Sequence, residues 1–145
     1  MEKIRKRGIL AVSFGTSYED SCRQTIGALE EDFAENFPGM PVKRAFTSSV
    51  IMRIWEERGV HIPDVQDALR ELAADGIEEV LIQPTHLLAG EEYEKLCAQA
   101  EVLRGSFRRM DIGAPLLHTE EDLHRVADFY ANHFPREECE ALVLM

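Results

Sequence analysis

The chain has 145 residues, 45% hydrophobic and 30% charged, which is enough for one domain with a real core and excludes a disordered segment. Its net charge of −11 repels phosphate backbones and excludes a general nucleic-acid binder, while leaving room for a small anionic ligand held by local cations. No apolar run approaches the ~20 residues of a membrane helix, and the basic start lacks the roughly 7–15-residue apolar stretch of a secretory signal, so a cytoplasmic protein with no membrane partner is expected.

Residues 8–13 form a continuous apolar run, the pattern of a strand buried on both faces. Ser17 with Asp20 three positions later signals a helix start. Cys22, Ile26, Leu29, Phe33 and Phe37 then recur at steps of three or four as one apolar stripe, and Pro38 with Gly39 ends the helix. Residues 42–46 read as a second strand. Thr47, Ser48 and Ser49 cap a short helix carrying Ile51, Ile54 and Trp55, broken at Gly59. Asp64 opens another helix with Leu69 and Leu72 inward, ending at Gly76. Residues 79–83 make a third strand, followed by a loop over 84–90. A long helix over 91–108 places Leu96, Ala100, Leu103 and Phe107 on one face. Residues 110–114 are a short fourth strand. Thr119 with Asp122 starts a last helix, in which Leu123, Val126, Ala127, Tyr130 and Phe134 line up.

This order predicts an α/β three-layer sandwich: a mostly parallel four-stranded sheet of flavodoxin-like topology with helices on both faces, because parallel strands require crossovers of helical length. Right-handed crossovers put the strand C-terminal ends on one edge, where ligands of such sheets sit. Three loops should meet there, at residues 13–17, 46–49 and 85–92. Residues 1–138 are expected to form this domain. Residues 139–145 read as the start of a further, buried strand, and a bare apolar strand is an aggregation hazard, so the chain is expected to be the front part of a longer protein.

Chemistry is concentrated in those loops. Ser13, Phe14, Gly15, Thr16 and Ser17 offer hydroxyls and backbone N–H groups at a helix start, suited to clamping an anion or a polar ligand edge. An ordinary turn built on Gly15 with a Ser17 cap is the plain alternative. His86, Glu91 and Glu92 fall within seven residues, after a strand and across a helix start. The two glutamates also suit the helix dipole, and His86 is either a metal ligand or simply hydrogen-bonded. Arg44 and Arg53 flank the second loop and could hold carboxylates bidentately, or form structural ion pairs. His61, His118, His124 and His133 show no ligand spacing with one another, and Cys22, Cys97 and Cys139 are too far apart for a metal knuckle or redox pair.

Together, residues 12–17, 44–48, 51–53, 90–95 and 114–117 resemble the sirohydrochlorin cobaltochelatases, the anaerobic cobalt chelatases of cobalamin biosynthesis, which are related in fold to ferrochelatase. The matching segments occur in order across nearly the whole chain. The resemblance implies the N-terminal half of a protein of two similar α/β halves, with a sirohydrochlorin-type tetrapyrrole in the cleft between them. It implies insertion of Co(II), the metal substrate, without ATP or an organic cofactor. The metal-binding histidines and a carboxylate belong to the other half, the first of them expected just beyond Met145, so no catalytic residue is expected in this chain and His86 is its one weak metal candidate. On this mapping Ser13, Phe14, Gly15, Thr16, Ser17, Arg44, Arg53, Glu91 and Glu92 contact the macrocycle. The chain alone is expected to insert little or no metal, and an isolated half with an open cleft is prone to self-association. Two other readings stand beside this one: a flavodoxin-like FMN-binding electron carrier, which should show aromatic residues in the later loops, and a non-catalytic binding domain.

Overall fold

A computed structural model describes residues 5–134 together with Glu137. The strand expected at 139–145, with Cys139, lies outside these residues. Four strands, β1 (Arg7–Ser13), β2 (Val42–Phe46), β3 (Glu79–Pro84) and β4 (Arg109–Ile112), pair in the order β2-β1-β3-β4 and are all parallel. Strand β1 lies inside the sheet, and six of its seven residues are buried, as its unbroken apolar run requires. The expected parallel α/β sandwich is the observed fold.

Strand alternation assigns the two faces. Leu10, Val12, Ala45, Val80 and Ile82 point to one side, where they meet Leu69 and Leu72 of α4 (Val65–Ala74) and Leu96 and Ala100 of α5 (Glu91–Val102). This is the main core. The opposite side holds a smaller cluster, in which Phe46 packs with Cys22, Trp55 and Ile62. Its cover comes from α1 (Glu19–Cys22), the π-turn Arg23–Gly27, α2 (Ala28–Asn36) and α3 (Ser49–Glu57).

Three helix starts follow the local chemistry. The side chains of Ser48, Asp64 and Thr119 accept hydrogen bonds from Ile51, Asp67 and Asp122 N–H, and Thr119 with Asp122 makes a reciprocal capping box. The first helix departs from expectation. Ser17 does not cap it; α1 begins at Glu19 after Tyr18, which has no side-chain cap, and Thr16 Oγ1 accepts from Tyr18 N–H instead. The π-turn then inserts extra residue rotation, so the expected stripe breaks. Leu29 and Phe37 are exposed, and Glu30 turns inward.

Two other boundaries are shorter than expected. Helix α5 stops at Val102, and a 3-10 turn over Arg104–Ser106 carries the chain on, although Leu96, Ala100, Leu103 and Phe107 are all buried as the pattern required. Strand β4 ends at Ile112. Helix α6 (Glu120–His133) forms, but its apolar line is uncovered: none of its residues is buried, and Leu123, Phe129 and Phe134 are about half exposed. No helix among the described residues is long and apolar enough to cross a membrane.

Candidate functional site

The C-terminal ends of β1, β2 and β3 do bring the three loops together. Backbone pairing continues past the strands. Thr47 N–H donates to Ser13 O at 2.9 Å, Ser48 N–H to Phe14 O at 3.2 Å, and Thr85 N–H to Val12 O at 2.9 Å. The segment after β4 joins them, with Leu116 N–H on His86 O at 3.0 Å and Leu117 N–H on Leu87 O at 2.8 Å.

Side chains then knit a polar floor. Thr85 Oγ1 donates to Ser13 Oγ at 2.8 Å, and Thr47 Oγ1 lies 3.3 Å from His86 Nε2. Lys95 reaches from the second turn of α5 to donate from Nζ to Thr47 O at 2.5 Å. Ser13, Thr47 and Ser48 are buried, so their hydroxyls need partners; this network supplies them for Ser13 and Thr47, and the Ile51 N–H does for Ser48. Burial lowers the His86 pKa, against the smaller opposing pull of the Glu92 carboxylate, and so favours a neutral ring near pH 7. His86 Nδ1 and Glu92 Oε2 are buried without a hydrogen-bond partner.

The floor has an apolar rim. Phe14, Val50, Leu87, Leu88 and Leu116 are each about half exposed or more, and they come from the segments that follow the four strands. Five large apolar side chains left open on one sheet edge exceed the scatter of single exposed residues found on any surface. A floor of hydroxyls, one imidazole and one ammonium within an apolar rim suits a flat organic ligand with polar margins.

The residues expected to contact ligand divide into those held at this edge and those engaged elsewhere. Ser13 lies in the floor and Phe14 in the rim. Gly15 has φ of 102°, and a Cβ there would come within 2.6 Å of the Phe46 ring, so glycine is demanded by the fold at this position. Thr16 and Ser17 serve α3 through their carbonyls, which accept from Trp55 Nε1 at 2.7 Å and Arg58 Nη1 at 2.6 Å.

Arg44, expected to clamp a substrate carboxylate, clamps a carboxylate of its own chain. Its Nε and Nη2 donate to the two Glu30 oxygens at 2.8 and 2.7 Å, and Nη1 lies 3.6 Å from Cys22 Sγ. The Glu30 hydrogen bonds raise its already high pKa. In this structure it ties β2 to α2. Arg53 is exposed on α3, 4.0 Å from Glu57, beside a shallow cavity of about 360 Å³ whose lining includes none of the three edge loops. Glu91 is exposed, whereas Glu92 is half-buried next to Lys95.

Sequence reading missed Thr47, Thr85 and Lys95 as individual site residues. The hydroxyl residues following the first three strands were visible, but a contact from Lys95 to a main-chain carbonyl 48 positions away leaves no trace in local spacing. His86 binds Thr47. Among the described residues no three His, Cys, Asp or Glu side chains converge to hold a metal ion.

Comparison with known proteins places this geometry in a family. Residues 7–145 match the family model described as cobalt chelatase (CbiK). A sirohydrochlorin cobaltochelatase of Salmonella typhimurium is 43% identical over 118 residues, covering 81% of this chain and 45% of that protein. The sirohydrochlorin cobaltochelatase CbiKC of Nitratidesulfovibrio vulgaris is 33% identical over 146 residues, covering 98% of this chain and 51% of its own length. The chain thus spans about half the length of the curated relatives it matches. Among solved structures, a putative cobalamin (vitamin B12) biosynthesis CbiX protein from Marinobacter aquaeolei superimposes with a TM-score of 0.60 over 90% of this chain and 99% of its own, at 17% identity, a likeness of fold. The match over nearly the full chain, with two relatives above 30% identity, shows that this chain belongs to the CbiK cobalt chelatase family.

Proposed function

We propose that this chain forms one wall of a sirohydrochlorin-binding cleft and that, completed by a second half, it takes part in inserting Co(II) into that macrocycle. The observation that carries this reading is the polar floor of Ser13, Thr47, Thr85, His86 and Lys95 inside an apolar rim, at the sheet edge where ligands of parallel α/β folds sit. The two relatives are named sirohydrochlorin cobaltochelatases, which supports this choice of substrate and metal.

Metal insertion requires that two pyrrole N–H protons leave as the metal enters, so a base must face the centre of a macrocycle held still. This chain contributes the holding. Phe14, Leu87, Leu88 and their neighbours exclude water from one side of the ring. The floor gives fixed donors and acceptors to its margin. His86 has its Nε2 engaged by Thr47 and its Nδ1 buried, so it orders the floor and is not the base. The proton acceptor and the groups that deliver Co(II) are assigned to the second half.

A flavin carrier would require aromatic side chains to sandwich the ring. The tyrosine nearest the later loops, Tyr93, sits inside α5 and donates its hydroxyl to Gly113 O at 3.1 Å.

The test is a titration of sirohydrochlorin with the 145-residue protein, read by tetrapyrrole fluorescence and absorbance, then addition of Co(II). Saturable binding with no cobalt-dependent spectral change supports the reading. A clear cobalt-dependent rate from this chain alone would refute the division of labour, and absence of binding would refute the cleft wall.

A further inference from the structure

With Arg44 committed to Glu30, the acidic chain still requires a cation to receive a ligand that carries carboxylates. We infer that Lys95 is the side chain of this half that recognises a peripheral carboxylate of the macrocycle and thereby selects the free acid over neutral analogues. This inference rests on the sirohydrochlorin reading above.

The geometry is specific. A helical side chain leans toward the N-terminus of its helix, and that lean carries the Lys95 ammonium back from the second turn of α5 to the strand edge. Nζ donates to Thr47 O at 2.5 Å, which fixes the charge over the polar floor. An ammonium has three donors, and Thr47 takes one. The nearest carboxylate oxygen, Glu92 Oε2, stands at 4.0 Å, close enough to feel the charge and too far for a hydrogen bond. The Lys95 side chain is 39% exposed, so it is not sealed inside the fold.

The other candidate cations are engaged or placed elsewhere. Arg58 donates to Ser17 O at 2.6 Å and lies over the Trp55 ring, and Arg53 lies beside Glu57 on the exposed side of α3. The edge also retains a buried polar atom without a partner, His86 Nδ1, so its hydrogen bonding is incomplete as it stands. A carboxylate received by Lys95 would add a partner to the ammonium and offset the repulsion from Glu91, Glu92 and Glu94 in the first turn of α5.

The test compares sirohydrochlorin with its fully methyl-esterified form, each titrated by fluorescence into the unaltered chain, Lys95→Met and Lys95→Arg. A hydrogen bond to a charged group predicts that Lys95→Met weakens binding of the free acid about tenfold and of the ester less than about twofold, with Lys95→Arg restoring part of the loss. Raising salt should weaken the unaltered chain more than Lys95→Met. Equal losses for acid and ester would assign Lys95 a purely structural role and overturn the inference, as would an unchanged affinity for the acid. Failure of the unaltered chain to bind either form would overturn the tetrapyrrole reading itself. Thermal melts of both variants establish that the compared proteins are folded.

Discussion

The two faces of the sheet are held by different forces. On the α4–α5 side, fifteen buried residues make one continuous apolar core, from Leu10 and Val12 in the central strand to Phe107 beyond α5. On the other side the buried cluster is Cys22, Phe46, Trp55 and Ile62, and its margin is closed by the Arg44–Glu30 ion pair. Helix α6 adds no buried side chain to either. The first face is sealed chiefly by dispersion and water exclusion. The second depends on directed polar ties, and those consume residues that by type could have met a ligand. Arg44 is such a case. Lys95, though it sits on the apolar side's own helix, escapes because its long stem carries the charge out to the strand edge.

The largest effect is expected where the first face is tightest. Leu96 is fully buried between α5 and the sheet, so Leu96→Ala should cost about 3 kcal/mol in denaturant unfolding, the sum of lost transfer energy and a residual cavity. A cost below about 1 kcal/mol would show that this side collapses easily and that the contrast between faces is false.

On the second face, Arg44→Met should cost about 2 kcal/mol, because it leaves the half-buried Glu30 carboxylate without its two charge-assisted hydrogen bonds. The double variant Arg44→Met/Glu30→Leu should recover most of that loss, since apolar partners of similar size replace the pair without stranding a charge. Sirohydrochlorin affinity should change less than about twofold in the double variant. A tenfold loss of affinity there would return Arg44 to the ligand site.

That pair also shows where sequence reading reached its end. The arginine was recognisable as a carboxylate clamp, but whether the carboxylate belonged to substrate or to the chain depended on which way residue 30 faced. A regular helix through Cys22, Ile26 and Leu29 turns Glu30 outward. The π-turn at Arg23–Gly27 rotates the following residues, exposes Leu29 and delivers Glu30 to Arg44. The strands, their order of appearance and the meeting of three loops at one strand edge followed from continuous apolar runs and caps such as Ser48 and Asp64, because those signals are local. The early stop of α5 was marked by Gly105, yet the apolar line through Leu103 and Phe107 concealed it, since a 3-10 turn keeps both residues inward. The Lys95–Thr47 contact joins distant positions through a main-chain atom, for which no residue pattern exists.

The smallest effect should come from α6, and it tests the comparison from its other end. Its line of Leu123, Ala127, Tyr130 and Phe134 has the same spacing as the buried line of α5, so periodicity alone would assign both the same worth. Phe129 is 52% exposed, and its ring contacts are to Tyr130 and His133 of its own helix. Phe129→Ser removes little buried area and breaks contacts that persist only while the helix is already formed, so unfolding stability should shift by less than about 0.5 kcal/mol. Solubility should improve, because an exposed apolar side chain is lost. A cost approaching that of Leu96→Ala would mean that something covers α6 in solution. If the cover is a second copy of this chain, the melting temperature of the unaltered protein must rise with protein concentration while that of Phe129→Ser stays flat.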